Sequence, residues 1–305
     1  MRTGQASRTA EHNALFRSLE AGAPGDRQVC DDPLAGRFLS WPLAAARPVA
    51  KLPGGAPALR AFIDHRWPGV RTAVVARTRL IDDTLCGLPA DRLGQLVVLG
   101  AGFDSRPYRL ACLRDVPVFE VDHPDTQWEK RRRLARGRAK VPGSVKFVPT
   151  DFNLGELRRQ MAASGYQPSV PTVFLWEGTT NYLTEPAVDA TLRWCAEAPA
   201  GSLLLFTYVH VDVLARPESF AGGRRLAATL DKVGERFTFG LDPTAMADYL
   251  AARGFDRRWD VGATDFRARY YGDRARGMVG HEFYRVALAE RRPTSRSAGP
   301  RRPAP

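Results

Sequence analysis

The stretch VVLGAGFDSRPYRL, Val97 to Leu110, decides how the chain is read. An apolar, β-branched run ends at Leu99 and gives way to Gly100 and Gly102, then to Asp104 and Ser105, which suit the start of a helix. A strand that stops in bare backbone lets the chain turn sharply and touch a ligand, because no Cβ stands in the way. In an open α/β sheet this is where ligands lie, outside the carboxyl ends of the strands. Glycine turns also occur for purely structural reasons, so the meaning of this one depends on its surroundings.

Downstream, short apolar runs alternate with longer amphipathic stretches, the pattern of parallel strands joined by helical crossovers. The runs are LVVLG (96–100), VPVFEVD (116–122), VKFVPTD (145–151), TVFLWEG (172–178) and SLLLFTYVH (202–210), with helical stretches such as DTQWEKRRRLARG and PAVDATLRWCAEA between them. After TAMADYLAARG come RRWDVG (257–262) and HEFYRVALAE (281–290), separated by turn-rich sequence too short for a comfortable crossover helix. An antiparallel closing pair is expected there. The fold class is therefore α/β: a doubly wound, mostly parallel, seven-stranded Rossmann-like sheet. Residues 1–90 read as a helical N-terminal cap and 91–290 as the ligand-binding domain, with a cover inserted near 211–240. Residues 291–305 read as a disordered basic tail.

The second strand gives the glycine loop a partner. FEVD places Asp122 at a strand end, 22 residues past Gly100, near the spacing at which a carboxylate accepts ribose hydroxyls; Glu120 shares its face but lies deeper. An adenosine-type ligand follows. A dinucleotide fingerprint wants Gly or Ala where Ser105 stands, and a phosphate loop wants Gly-Lys-Ser/Thr, which is missing. S-adenosylmethionine carries ribose and adenine without pyrophosphate and needs neither. Upstream, VRTAVVARTRLIDDTL (70–85) is apolar at helical spacing, with Arg77 on the apolar stripe and Arg71, Arg79 and Asp83 on the polar side. A buried guanidinium needs an anion, and either a structural Asp or Glu or a ligand carboxylate meets that need, unless the side chain snorkels to water.

The bulk numbers set limits. The first 20 residues hold no apolar core of signal-peptide length, and no run of about 18 apolar residues occurs, so a soluble, cytoplasmic protein with no membrane contact is expected. Cys30, Cys86, Cys112 and Cys195 lie far apart, with no CxxC and no histidine at ligand spacing; they read as reduced core thiols, without metal or disulfide. The net charge of +12 raises the question of nucleic acid. Much of the excess is local. RRPTSRSAGPRRPAP (291–305) holds five arginines and no acid, and RRRLARGRAK (131–140) reads as the solvated end of a helix, where cations favour the negative pole. Nucleic acid is thus the less favoured partner.

Taken in order, SRTAEHNALFRSLE, DDPLAGRFL, ARTRLIDD, LGAGFDSRPYRL, FEVDHPDTQWEK, VPTDF and WEGTTNYLTEPAV resemble the leucine carboxyl methyltransferase-like family of S-adenosylmethionine-dependent methyltransferases, particularly its bacterial small-molecule branch. The resemblance covers roughly residues 7 to 290. It implies a class I methyltransferase fold, S-adenosyl-L-methionine as cofactor and a small-molecule acceptor. It further implies that Arg77 grips the methionine carboxylate, Gly100 lies beside the methionine portion and Asp122 holds the ribose. Asp151 would contact the adenine amino group, with Phe152 on the ring, and Glu177 would lie by the cofactor's amino group. Read by themselves, Asp151 also suits a helix cap and Phe152 a core position. After Glu177 the family has apolar residues where this chain has Thr179, Thr180 and Asn181 before Tyr182, which fits either an unusual acceptor or turn chemistry.

A carboxylate acceptor, with a pKa near 4, needs no base at pH 7, whereas a hydroxyl gains from one. Tyr208, His210 and His123 are the catalytic candidates; His123, before Pro124, also suits a helix start. The leading expectation is an O-methyltransferase acting on a carboxylate or hydroxyl of a small metabolite. Its rivals are an NAD(P)-dependent oxidoreductase and a nucleic-acid-binding or RNA-modifying protein. The acceptor and the oligomeric state are not legible, because 1–90 and 211–240 carry no chemical signature.

Overall fold

The computed structural model describes residues 8–23, 28–137 and 139–293, and the structural statements below concern those residues. Seven strands, β1 Gln95–Leu99, β2 Val118–Asp122, β3 Val145–Pro149, β4 Thr172–Trp176, β5 Leu203–Val209, β6 Phe255–Gly262 and β7 Tyr284–Arg291, form one sheet in the order β3-β2-β1-β4-β5-β7-β6. β1, β4 and β5 are buried along their whole length, which is why they read as unbroken apolar runs rather than alternating ones. The edge strands β3 and β6 mix buried and exposed positions.

The first five strands run parallel, and β7 is antiparallel to both β5 and β6. The expected antiparallel closing pair is present. The expectation that no helix fits between its strands is corrected: a helix, Ala263–Tyr271, begins one residue after β6 ends. The helix spends no residues on a loop, because the Asp265 carboxylate accepts the Gly262 N–H at 2.8 Å and caps it at once.

The helices before β1 are α1 Arg8–Glu20, α2 Trp41–Ala44, α3 Ala46–Lys51, α4 Gly55–Arg66 and α5 Val70–Cys86. Then follow α6 Arg106–Arg109, α7 Pro124–Arg136, α8 Leu157–Ala163, α9 Glu185–Cys195, α10 Asp212–Ala215, α11 Gly223–Val233, α12 Met246–Ala251 and α13, the helix Ala263–Tyr271. Alternate strand residues feed two cores. Leu96, Val98, Leu175 and Leu205 pack with residues of α1, α5, α7 and α13 on one face. Val97, Leu99, Phe174, Trp176 and Phe206 pack with α8, α9 and α12 on the other. Because Leu99 pairs with Val121 and Val98 with Leu175, the ends of β2, β1 and β4 are level, and the residues that follow them share one rim.

Three other expectations change. Cys86 and Cys112 form a disulfide, S–S 2.08 Å, while Cys30 and Cys195 are free and buried. The end of α5 and the turn after α6 lie side by side, a proximity that 26 residues of sequence separation concealed. Arg71 is buried rather than on a polar face, with Asp64 at 2.6 Å and Glu20 at 3.6 Å. Within the 131–140 run, Arg133 turns inward to Glu11 at 2.7 Å. The basic tail from residue 294 onward lies outside the described residues. Among the described residues no helix is long and apolar enough to cross a membrane, and no group of His, Cys, Asp and Glu side chains is arranged to hold a metal ion.

Candidate functional site

At the level rim, a cavity of about 500 Å³ opens. Its floor is the turn after β1. The Gly100 and Ala101 N–H groups both donate to Val121 O, at 2.8 and 3.0 Å, which folds the backbone over the end of β2. Gly100 has φ 68°, and a Cβ there would lie 2.1 Å from Thr179 Oγ1. Glycine is thus required twice, by the backbone angle and by the threonine above it. Asp122 ends β2 with its carboxylate accepting from the His123 N–H at 2.6 Å and from the Gly102 N–H. Burial pushes the Asp122 carboxyl above its usual range, and those two N–H groups pull against that rise.

On the β4 side the wall is ionic. Glu177 follows β4, its side chain 15% exposed, with Arg77 Nε on Oε1 and Arg106 Nη1 on Oε2, both at 2.7 Å. Burial alone would raise its pKa; Arg106 and Arg77 outweigh this and bring it to about 2. Arg106 also reaches Asp104 at 2.6 Å and Asp82 at 2.7 Å, and Arg109 shares Asp82 at 2.7 Å. Further back, Asp32 accepts from Arg17 Nε at 2.8 Å and from Ser105 Oγ at 2.6 Å. Arg77, Arg106, Arg109 and Arg17 thus face Glu177, Asp104, Asp82 and Asp32, cation for anion.

Arg77, Gly100, Gly102, Asp122, Asp151, Phe152 and Glu177 all line this one cavity, as does His123. Arg77 takes a protein carboxylate as its partner, and that carboxylate is itself on the cavity wall. Asp151 accepts from the Asn153 N–H at 2.9 Å and caps a short 3-10 turn, and Phe152 stacks at 6.4 Å on Trp176. Both the capping and the packing readings therefore hold for side chains that also line the cavity. His123 accepts from the Asp125 N–H at 3.3 Å at the start of α7. Tyr208 and His210 do not line the cavity. Tyr208 is fully buried and donates to Asp260 at 2.7 Å; His210 Nδ1 accepts from the Asp212 N–H at 3.1 Å. In the polar triplet, Thr179 covers Gly100, Thr180 donates to Thr207 O at 2.7 Å, and Asn181 is buried.

Among the cavity residues that escaped the sequence reading, three are charged side chains with a part in its frame: Arg106, Arg17 and Glu235. Arg106 is buried at the first position of α6. A cation is disfavoured at a helix N-terminus, and that misplacement was the available signal. Arg17 and Glu235 gave no comparable sign. Thr9, Ala10, Asn13 and Arg17 put one face of α1 over the cavity, and Gly234, Glu235, Arg236 and Thr238 of the insertion meet it. The Glu235 carboxylate joins the two, accepting from the N–H groups of Arg8 at 2.9 Å and Thr9 at 3.3 Å and from Thr9 Oγ1. An anion at the start of a helix is favourably placed.

Over residues 10–196 the chain matches the family described as Leucine carboxyl methyltransferase. It is 33% identical over 209 residues to a Frankia alni protein whose name places it among S-adenosyl-L-methionine-dependent methyltransferases, covering 68% of this chain and 70% of that one. A similarly named Streptomyces avermitilis protein is 33% identical over 217 residues, covering 70% of this chain and 68% of its own. Among solved structures, a Thermobifida fusca protein aligns with a TM-score of 0.59 at 14% identity, covering 95% of this chain and 97% of that one. A Streptomyces avermitilis structure gives 0.56 at 14% identity, covering 92% and 97%. At that identity the likeness is one of fold.

Proposed function

The chain belongs to the leucine carboxyl methyltransferase family, and on that premise we propose that it transfers a methyl group from S-adenosylmethionine to an oxygen, carboxylate or hydroxyl, of a small-molecule acceptor. It is a methyltransferase, and S-adenosylmethionine is its cofactor. The observation that carries the proposal is the convergence of Arg77, Gly100, Asp122 and Glu177, from four separate segments, on a single cavity.

In this reading Glu177 receives the ammonium of the methionine part and Arg77 its carboxylate. Gly100 leaves room beside it, Asp122 takes the ribose hydroxyls, and Asp151 and Phe152 meet the adenine. Two further groups support the fit. Thr126 Oγ1 and Thr150 Oγ1 line the cavity, are buried, and have no hydrogen-bond partner among the described residues. Such hydroxyls call for a polar ligand edge.

When bound, the cofactor supplies a methyl group already activated on a sulfonium. What remains for the protein is to hold the acceptor oxygen about 3 to 3.5 Å from that carbon and in line with it, a positioning effect of roughly 7 to 11 kcal/mol. In this reading the α1 and 234–238 residues that line the cavity cover the reacting atoms.

Calorimetric titration of the folded protein with S-adenosylmethionine and S-adenosylhomocysteine tests the proposal. Binding is expected, weakened roughly tenfold or more in Asp122→Asn, the loss of a charge-assisted hydrogen bond. No heat from either compound removes it. Mass spectrometry of small acids and phenols incubated with deuteromethyl donor then reads which oxygen gains the methyl.

A further inference from the structure

The loop leading into β7 holds a histidine in an unusual setting. His281 has φ 68°, the left-handed region, whereas Gly277 and Gly280 take the positive φ values elsewhere in that loop. Keeping a side chain at such a position costs roughly 1 to 3 kcal/mol. The residue is 6% exposed, and neither Nδ1 nor Nε2 has a hydrogen-bond partner among the described residues. Burial first, then Arg77 and Arg267, lower its pKa to about 3, so the ring is neutral and offers one N–H donor. Arg267 is fully buried as well. Its Nε donates to Ala263 O at 3.0 Å and its Nη2 to Glu282 Oε1 at 3.1 Å, but Nη1 is buried without a partner among the described residues. Glu282 Oε1 also accepts the Gly280 N–H at 2.6 Å, so the Arg267 guanidinium lies against the loop that carries His281. A buried donor left without a partner on each of these side chains is costly until an acceptor reaches it.

Rings from three segments lead away from His281. His281 stacks on Phe283 at 4.8 Å and meets Tyr284 at 5.0 Å, and the Tyr284 ring carries the Arg77 guanidinium at 4.6 Å. Phe283 touches Phe220 at 5.5 Å and Phe237 at 6.2 Å, two half-buried rings of the insertion. Phe237 in turn meets Tyr182, a cavity wall residue, at 5.6 Å. The nest runs from the surface of the insertion to the Arg77–Glu177 end of the cavity.

We infer that His281 and Arg267 form an anion-receiving pair that anchors the carboxylate of a planar aromatic acceptor, whose ring stacks among Phe220, Phe237 and Phe283. The inference rests on the methyltransferase reading, since it places the acceptor beside the Arg77–Glu177 end of the cofactor cavity. Displacing the two half-buried rings gives the acceptor its entry.

The test uses the full chain saturated with S-adenosylhomocysteine and two probes, salicylate and 1-hydroxy-2-naphthoate. Histidine labelled with carbon-13 at Cε1 reports on the ring by NMR, with the His281 resonance identified by its loss in His281→Phe. At least one acid is expected to bind saturably and to move that resonance. His281→Phe is expected to raise its Kd at least tenfold, leaving the S-adenosylhomocysteine Kd within twofold and Tm no lower than in the native protein. A merely structural histidine would not separate these readouts. Arg267→Gln serves as the second variant if His281→Phe does not fold. The pairing is overturned if neither acid binds, if binding leaves the His281 resonance in place, or if His281→Phe binds as tightly. Failure of S-adenosylhomocysteine to bind the native protein would instead overturn the cofactor reading.

Discussion

Glu177→Gln tests the electrostatic wall most directly. In the native protein the Glu177 carboxylate lies between Arg77 and Arg106 at 2.7 Å from each, and its pKa falls from the ordinary 4.5 to about 2. Roughly 2.5 units at 1.36 kcal/mol each is about 3 kcal/mol of stability at pH 7. The folded value is the lower one, so this stabilisation is complete above about pH 5 and drains away as the pH falls toward 2. Glutamine cannot follow that course. It also leaves two buried guanidiniums against a neutral amide, and the amide's remaining hydrogen bonds make 3 kcal/mol an upper figure. Urea unfolding followed by tryptophan fluorescence at pH 7, 5 and 3 measures both proteins. The variant is expected to be less stable by up to about 3 kcal/mol at pH 7, with the gap shrinking to roughly half or less at pH 3. Equal stability at pH 7, or a gap indifferent to pH, would refute the reasoning.

Two further changes probe the frame of the site. Gly100→Ala puts a Cβ 2.1 Å from Thr179 Oγ1 on a backbone with φ 68°, and a stability loss of about 2 kcal/mol or more is expected in thermal unfolding, together with weaker S-adenosylhomocysteine binding. Adding Thr179→Ala should restore only part of it, since the backbone angle remains and the Cβ at position 179 still lies 2.8 Å from the new one; full recovery would show that both are harmless. Cys86→Ser opens a link between residues 26 apart in sequence and is expected to cost up to about 3 kcal/mol. Dithiothreitol should lower the Tm of the native protein but not of the variant, and an equal response in both would mean that the bond does not form.

The sheet was legible because its central strands β1, β4 and β5 are buried on both faces and announce themselves as apolar runs, and because Gly100, Asp122 and Glu177 stand where β1, β2 and β4 end. Gly100, Asp122 and Glu177 reach one rim by strand register, which local sequence encodes well. Partnerships across the fold were not legible. Beyond its near neighbour Asp104, Arg106 gathers Asp82 and Glu177 from separate segments, and nothing in its own neighbourhood names those two. The Cys86–Cys112 bond and the Glu235 contact with α1 are of the same kind. Tyr208 is instructive in the other direction: it alternates in step with Leu204 and Phe206, so the period of two already pointed it into a core rather than over the rim. Helix α13 was missed because a capped turn at Gly262 replaced the loop that crossover lengths assume.

The single carboxylate of Glu235 fastens the start of α1 to a segment some 227 positions away, so neither half of the roof is free to answer to its own ligand. A ligand that shifts the 234–238 segment therefore also acts on α1 across the same cavity, and thermodynamic reciprocity requires the influence to be equal in both directions. Under the proposed function, exchanging the insertion to retune acceptor choice is expected to change how tightly the methyl donor is held, and a screen that scores only new products would mistake a weakened donor complex for a poor acceptor fit.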